Sequence, residues 1–222
     1  MTSQTNVPLA AAVTVGAILL GVVIVCVLRL MIVFRSLGKV KPKCVRRLKT
    51  LIVAGSGGHT TEVLRLLSSL SDNYAPRVYI LANTDKMSKD KIKAFEDSKD
   101  SKTREYIIQQ IPRSREVRQS YITSILSTLY ATAYAFPIIF RHAPDLVLIN
   151  GPGTCIPLCA AAFVMRFLGW KPVIQIYVES ICRVQYLSVS GLIMYYFADH
   201  LMVQWPALKD KYPKAEYFGR IV

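Results

Sequence analysis

The chain is expected to be an α/β protein: a single N-terminal transmembrane helix followed by one Rossmann-like domain with a mostly parallel sheet. Three observations predict this. Residues 7–28 carry no charged side chain. After a basic stretch, short β-branched apolar segments alternate with longer helical ones, the pattern of βαβ units. And 222 residues suffice for one full α/β domain plus an anchor, but are short for two such domains.

At about 1.5 Å per residue the uncharged run crosses a hydrocarbon core of roughly 30 Å. Its cations follow it instead of preceding it, which fits an uncleaved anchor better than a cleaved signal peptide. Eight of them (Arg29, Arg35, Lys39, Lys41, Lys43, Arg46, Arg47 and Lys49) stand close behind the run and none before it. The positive-inside bias then places the N-terminus in the lumen and the remainder in the cytosol. The expected organisation is a lumenal tail (1–6), the anchor (7–28), a basic juxtamembrane linker (29–47) and a cytosolic domain (48–222). Near an anionic leaflet each of these charges adds on the order of 1 kcal/mol of attraction. The collar is thus either a topology signal alone or also a contact with membrane lipid.

The collar also explains most of the net charge. Lys and Arg total 28 against 14 acidic residues, all at or beyond Glu62. Outside the collar the chain is only modestly basic, with no zinc-ligand spacing, RNA-binding aromatic motif or basic recognition helix, so a nucleic-acid partner is set aside. A hydrophobic content of 52% with 19% charged residues excludes a disordered chain. Five cysteines (Cys26, Cys44, Cys155, Cys159, Cys182) form no paired short spacing and read as buried reduced thiols, with no metal site.

Strands are predicted over 48–54, 78–82, 106–111, 146–150, 173–178 and 201–204. Val63, Leu64, Leu66, Leu67 and Leu70 mark one helical face, and a second helix covers 121–141 before the Pro144-Asp145 boundary. The uncharged stretch 121–140 carries five Ser or Thr and Pro137, which favours a buried domain helix over a membrane span. A helix resting in the bilayer interface is the alternative. The stretch 184–198 is too short to span, and a place in the bilayer interface is the alternative for it too. Residues 88–104 read as a solvated helix and loop without a ligand.

In open parallel sheets, ligands bind beyond the carboxyl ends of the strands. The first such loop is GSGGHT, with Gly55, Ser56, Gly57, Gly58, His59 and Thr60. Glycines admit an anion close to the backbone, and the amides and dipole of the following helix stabilise its charge. A tight turn capped by Thr60 or His59 would use the same residues. It is neither a P-loop, which needs Lys after the last glycine, nor a dinucleotide fingerprint, which needs Gly at Thr60. Asp85 leaves a nicotinamide enzyme as an outside alternative.

A second loop, NGPGT, places Asn150, Gly151, Gly153 and Thr154 on the same rim, and the fifth strand ends in YVES with Glu179 and Ser180. Two glycine loops at carboxyl ends of one sheet raise the prospect of a shared diphosphate. Glu179 is a base, a ligand for sugar hydroxyls or a helix cap; His59 is a base, a phosphate donor or a cap. Arg113 and Arg115 in IPRSREV either grip phosphate or face solvent or lipid.

VAGSGGHTTE, IPRSREV, LVLINGPGTC, YVESICRV, VQWPALK and GRIV, in this order behind an anchor, resemble the membrane-anchored subunits of the two-subunit UDP-N-acetylglucosamine transferases of asparagine-linked glycosylation. The resemblance implies the N-terminal, acceptor-binding half of a GT-B glycosyltransferase. GSGGH is similar to the first glycine loop of the bacterial lipid-linked muramyl-peptide GlcNAc transferases, which faces the lipid diphosphate; NGPGT matches their second loop more loosely.

The same resemblance implies an endoplasmic reticulum protein that binds GlcNAc-diphospho-dolichol and recruits a cytosolic catalytic subunit (asparagine-linked glycosylation protein 13). That subunit supplies the UDP-sugar site, for which nothing in this chain suffices. No cofactor is implied, and the acceptor's 4-hydroxyl would lose its proton to His59 first or Glu179 second. The competing readings are a self-sufficient tethered transferase or nucleotide-dependent Rossmann enzyme, and a scaffold whose loops bind nothing. The apolar Ile221-Val222 end is either a docking point for the catalytic subunit or a frayed terminus.

Overall fold

A computed structural model describes residues 6–40, 47–99, 105–114, 119–151 and 154–222. The collar cations Lys41, Lys43 and Arg46, the rim residues Arg115 and Gly153, and Cys44 lie outside these. The chain divides into two units, Met1–Leu37 and Gly38–Val222.

The first unit is α1 (Asn6–Ser36), 31 residues long and therefore about 46 Å. It outruns the predicted 7–28 because no glycine or proline occurs between Leu28 and Gly38, which takes φ +70. Between residues 10 and 32 its apolar side chains are mostly exposed, as with Val13, Ile18, Leu19 and Val25, and Val33 near its end is buried. In water that surface would be costly; in hydrocarbon it is matched.

The second unit is built on β1 (Thr50–Ala54), β2 (Arg77–Ala82), β3 (Tyr106–Ile111), β4 (Leu146–Asn150), β5 (Ile174–Val178), β6 (His200–Val203) and β7 (Glu216–Tyr217). All pair in parallel, in the order β3-β2-β1-β4-β5-β6-β7. Six strands match the predicted segments to within about two residues at each end. Two-residue β7 has no apolar signal of its own. It forms only because β6 offers a free edge.

The order reverses at β1. The chain runs outward through β2 and β3, then returns to build β4 to β7 on the other side. Right-handed crossovers therefore put α2 (Gly58–Ser68) and α3 (Lys86–Ser98) on one face, and α4 (Tyr121–His142), α5 (Cys155–Phe167) and α6 (Val189–Phe197) on the other. The period-2 alternation of β1 divides the two cores: Leu51 and Val53 pack under α4 and α5, Ile52 and Ala54 under α2. A short α7 (Pro206–Lys211) joins β6 to β7.

Two helices differ from expectation. α3 is not merely solvated: Ile92 and Glu96 are buried, and Glu96 accepts from buried Arg77 at 3.1 Å and from Tyr79, so a charged sequence hides an ionic docking face. α4 is a domain helix, since it joins two strands of one sheet and cannot cross a bilayer. Yet it is buried only along a stripe through Ser124, Ala131, Ala135 and Ile139, while Ile122, Ile125, Leu126 and Leu129 are exposed. Small residues dominate the inward stripe and large ones the outward face, so the expected buried domain helix is buried on one side only.

The thiols also depart from a uniform reading. Cys155 and Cys159 are buried, Cys26 is half-buried and Cys182 is exposed. Burial pushes the Cys155 thiol up to about 12, which removes it as a nucleophile.

Candidate functional site

The strand register assembles the site. Ala54 at the end of β1 pairs with Asn150 at the end of β4, and Asn150 pairs with Val178 at the end of β5. The residues that leave these three ends are Gly55, Gly151 and Glu179, side by side across the rim. The β1–β4 boundary is where the strand order reverses, so the two helices that follow diverge to opposite faces and leave a crevice between their loops.

His59 fills that crevice. A Cβ on Gly55 would stand 2.8 Å from the His59 Cβ, and one on Gly151 would stand 2.8 Å from its Cγ. Both glycines are thus required by the imidazole packed between them. Gly151 also has φ +98, a region open chiefly to glycine. A Cβ on Gly57 (φ +67) or on Gly58 would meet nothing within 4 Å, so these two border open space instead.

Gly57, the N-cap of α2, makes no side-chain cap bond, and the amides of the first turn have no intrahelical partner. Thr154, buried at the N-cap of α5, likewise makes no side-chain cap bond. Ser56 is exposed beside these amides. The crevice therefore gathers two helix N-termini whose N-cap residues make no side-chain cap bond, an arrangement that favours an anion.

Behind the imidazole stands a group that the sequence pattern did not single out, Glu62. His59 Nδ1 lies 3.3 Å from Glu62 Oε2, and Glu62 Oε1 accepts from Ser180 Oγ at 2.7 Å. Burial alone would raise the pKa of this carboxyl, but hydrogen bonds from His59, Ser180 and Asn150 outweigh it and hold it below the usual glutamate value. An ionised carboxylate can only accept, so Nδ1 donates to it, and in a neutral ring Nε2 is then the acceptor. The signal for Glu62 was its spacing: three residues beyond His59 is one helical turn.

Glu179 is differently placed. It is 1% exposed; its Oε2 accepts from Ser188 N at 2.8 Å and Ser188 Oγ at 3.0 Å, and its Oε1 from Ser180 N at 3.2 Å. Burial raises its pKa against these bonds. Its side chain thus folds back to hold the 180–188 loop and the start of α6, where a Cβ on Gly191 would collide with it.

Three of the sequence motifs converge behind it. Gln204 Nε2 donates to Glu179 O at 3.2 Å, and its Oε1 accepts from Ile221 N at 2.9 Å. Trp205 Nε1 donates to Ile181 O at 2.7 Å, while the Arg220 guanidinium sits 4.3 Å from the Trp205 ring centre. The Ile221-Val222 end is accordingly not frayed: Val222 is buried in the α2-side core.

The remaining candidates separate. The Thr60 hydroxyl turns inward to Gly55 O and Ser88 Oγ, leaving its amide for a ligand. Asn150 Nδ2 donates to Val178 O at 3.3 Å, and its buried Oδ1 has no partner among the described residues. Arg113 leaves the edge strand β3, two strands or about 10 Å of sheet from β1. Asp85 accepts from Ser88 N and Oγ at 3.0 and 2.6 Å and caps α3, which accounts for it without a ribose.

A family model described as "Oligosaccharide biosynthesis protein Alg14 like" matches residues 50–221. The chain is 52% identical over 207 residues to the human UDP-N-acetylglucosamine transferase subunit ALG14, covering 90% of this chain and 94% of that one. It is 43% identical over 175 residues to the subunit of the same name from Yarrowia lipolytica, covering 78% and 81%. Among solved structures, MurG from Acinetobacter baumannii shares the fold with a TM-score of 0.54 at 17% identity, over 78% of this chain and 45% of that one. The chain thus spans less than half of that structure. With its parallel sheet, its glycine crevice and these relatives, the chain belongs to the Alg14-like family of oligosaccharide biosynthesis proteins.

Proposed function

We propose that this chain is the membrane-anchored, acceptor-binding subunit of a UDP-N-acetylglucosamine transferase, adding the second GlcNAc to GlcNAc-diphospho-dolichol at the cytosolic face of the endoplasmic reticulum. Its α1 anchors it, with the N-terminus in the lumen, and it recruits the cytosolic catalytic subunit that binds the UDP-sugar. The observation that carries this reading is the imidazole of His59, backed by ionised Glu62 and lying between two helix N-termini whose N-cap residues make no side-chain cap bond.

The amides of Gly57, Gly58, His59, Thr60 and Thr154 hold the diphosphate, which fixes the sugar over the crevice. Arg113 and Ser56 border the approach. His59 Nε2 takes the proton of the acceptor 4-hydroxyl as that oxygen attacks the anomeric carbon; the bond to UDP breaks and UDP leaves with its electron pair. Glu62 stabilises the imidazolium that forms. Glu179 positions the Ser180 loop that steadies Glu62, and acts on the reaction through it.

The test is transfer by membranes holding this chain, alone and with the catalytic subunit added. Activity is expected only in the second case and is lost in His59→Ala. Full transfer without the partner would overturn the split-subunit reading. An active His59→Ala complex would leave the chain a scaffold.

A further inference from the structure

Apart from the crevice, the α5–α6 surface carries an apolar groove of about 260 Å³. Ile156, Cys159, Ala160 and Phe163 of α5 face Ile193 and Phe197 of α6 across it. Both helices start at the rim: α5 follows the second glycine loop from Thr154, and the α6 N-cap Ser188 is bonded to Glu179. The groove therefore opens one helical turn from the anion crevice and runs away from it. From Ile156 to Phe163 its length is about 10 Å, and the edge-to-face rings of Phe163 and Phe197, 5.3 Å between centres, stand at its far end.

We infer that this groove binds the first isoprene units of the acceptor's polyprenyl chain, the units joined directly to the diphosphate. The inference rests on the acceptor-site reading above. Its own support is the continuity of the groove with the crevice and a lining without polar groups. An extended polypeptide laid there would leave backbone amides and carbonyls without partners, which is costly. An isoprenoid has none to satisfy. Val189 and Leu192 are exposed along α6, so apolar surface continues beyond the groove for the later units of the chain.

The experiment compares two acceptors in the complex reconstituted with its catalytic subunit: GlcNAc-diphosphate on a single isoprenyl unit and on a long polyprenyl chain. Ala160 is exposed on α5, so Ala160→Trp fills the groove without entering the core; Ile193→Phe fills it from the other wall and guards against misfolding of the first variant. Each is expected to raise KM for the long-chain acceptor about tenfold or more, with kcat kept and KM for the short acceptor within twofold. Equal effects on both acceptors, or none on either, would overturn the inference. A loss in His59→Ala with both acceptors, beside unchanged chain-length dependence in the groove variants, would remove the groove and leave the crevice; insensitivity to His59→Ala would remove the crevice itself. Cross-linking with a benzophenone-bearing farnesyl diphosphate should label α5 and α6 peptides and be suppressed by Ala160→Trp. Labelling elsewhere, displacement only by a photoreactive phosphatidylcholine, or protection on adding the catalytic subunit would assign the groove to another occupant.

Discussion

Glu62→Gln isolates the electrostatic part of the proposed base. The amide keeps the size of the side chain and can still accept from His59 Nδ1, but it no longer bears a charge. In the folded protein the carboxylate is 3.3 Å from Nδ1, with the imidazole 26% and the carboxylate 11% exposed. Unscreened Coulomb arithmetic at this distance overstates the effect, because the pair borders solvent. Hydrogen bonds to charged groups, at about 1.5–3 kcal/mol, give the better scale. That range is roughly ten- to hundredfold in rate.

The carboxylate matters most when the imidazole becomes charged, in the transition state and not in the bound ground state. The loss should therefore fall on kcat, with KM for the acceptor nearly unchanged. The assay is steady-state transfer by the reconstituted complex over a range of acceptor concentrations, with the variant's thermal unfolding measured alongside. A kcat within twofold of the wild type, in a background where His59→Ala is inactive, would refute the role given to Glu62. A rise in KM alone would show that it serves binding.

Gly58→Ala meets open space at a normal helical φ and should leave stability unchanged or slightly raised, by about 0.5 kcal/mol; a higher acceptor KM in the folded variant then reports the diphosphate. Gly151→Ala drives its methyl into the imidazole and should reduce kcat sharply even where the protein still folds, read by transfer and circular dichroism together. Asp199→Asn should cost about 3–5 kcal/mol in thermal unfolding of the full chain in detergent, because buried Asp199 pairs with Arg166 at 2.8 Å and accepts from Gly38 N and Gln175 N. Glu179 has a folded-state pKa above the usual 4.5, so its contribution to stability is present below that value and lost as pH rises through the folded one. The unfolding temperature of Glu179→Gln relative to wild type should accordingly improve from pH 4 to pH 8; an unchanged difference would contradict the burial argument. A glycosylation acceptor placed before Val7 should be modified and one beyond Val222 should not, and the reverse pattern would overturn the topology.

Strand positions were legible because each core strand is a short β-branched run between turn residues, and the rim followed from the rule that parallel strands present their carboxyl ends to ligands. The roles of the rim residues were less legible, since they depend on contacts between distant segments. Nothing local distinguishes Thr60, whose hydroxyl braces its own loop through Ser88, from a threonine facing a ligand. Glu62 carries little local sign of its role because its second partner, Ser180, is 118 residues away. α4 misled for the opposite reason: its small inward residues and large outward ones give a low-charge pattern that fits a buried helix equally well.

The two carboxylates of the rim clarify how the base is chosen. Glu62 and Glu179 are both buried acids near the same loop, yet their environments push their pKa values in opposite directions, a division that assigns acids to different work. Glu179 gives both oxygens to the 180–188 loop and has almost no exposed surface, so it has no atom to offer a sugar hydroxyl without dismantling the start of α6. Glu62 shares its charge with His59, which is the more accessible of the pair. Ser180 joins them, bonded to Glu62 through its hydroxyl and to Glu179 through its amide. A proton taken at His59 Nε2 is therefore supported by one carboxylate directly and by the other only through the loop it holds. Glu179→Gln should then lower kcat less than Glu62→Gln does, and the double variant should show coupling between the two sites in place of simple addition.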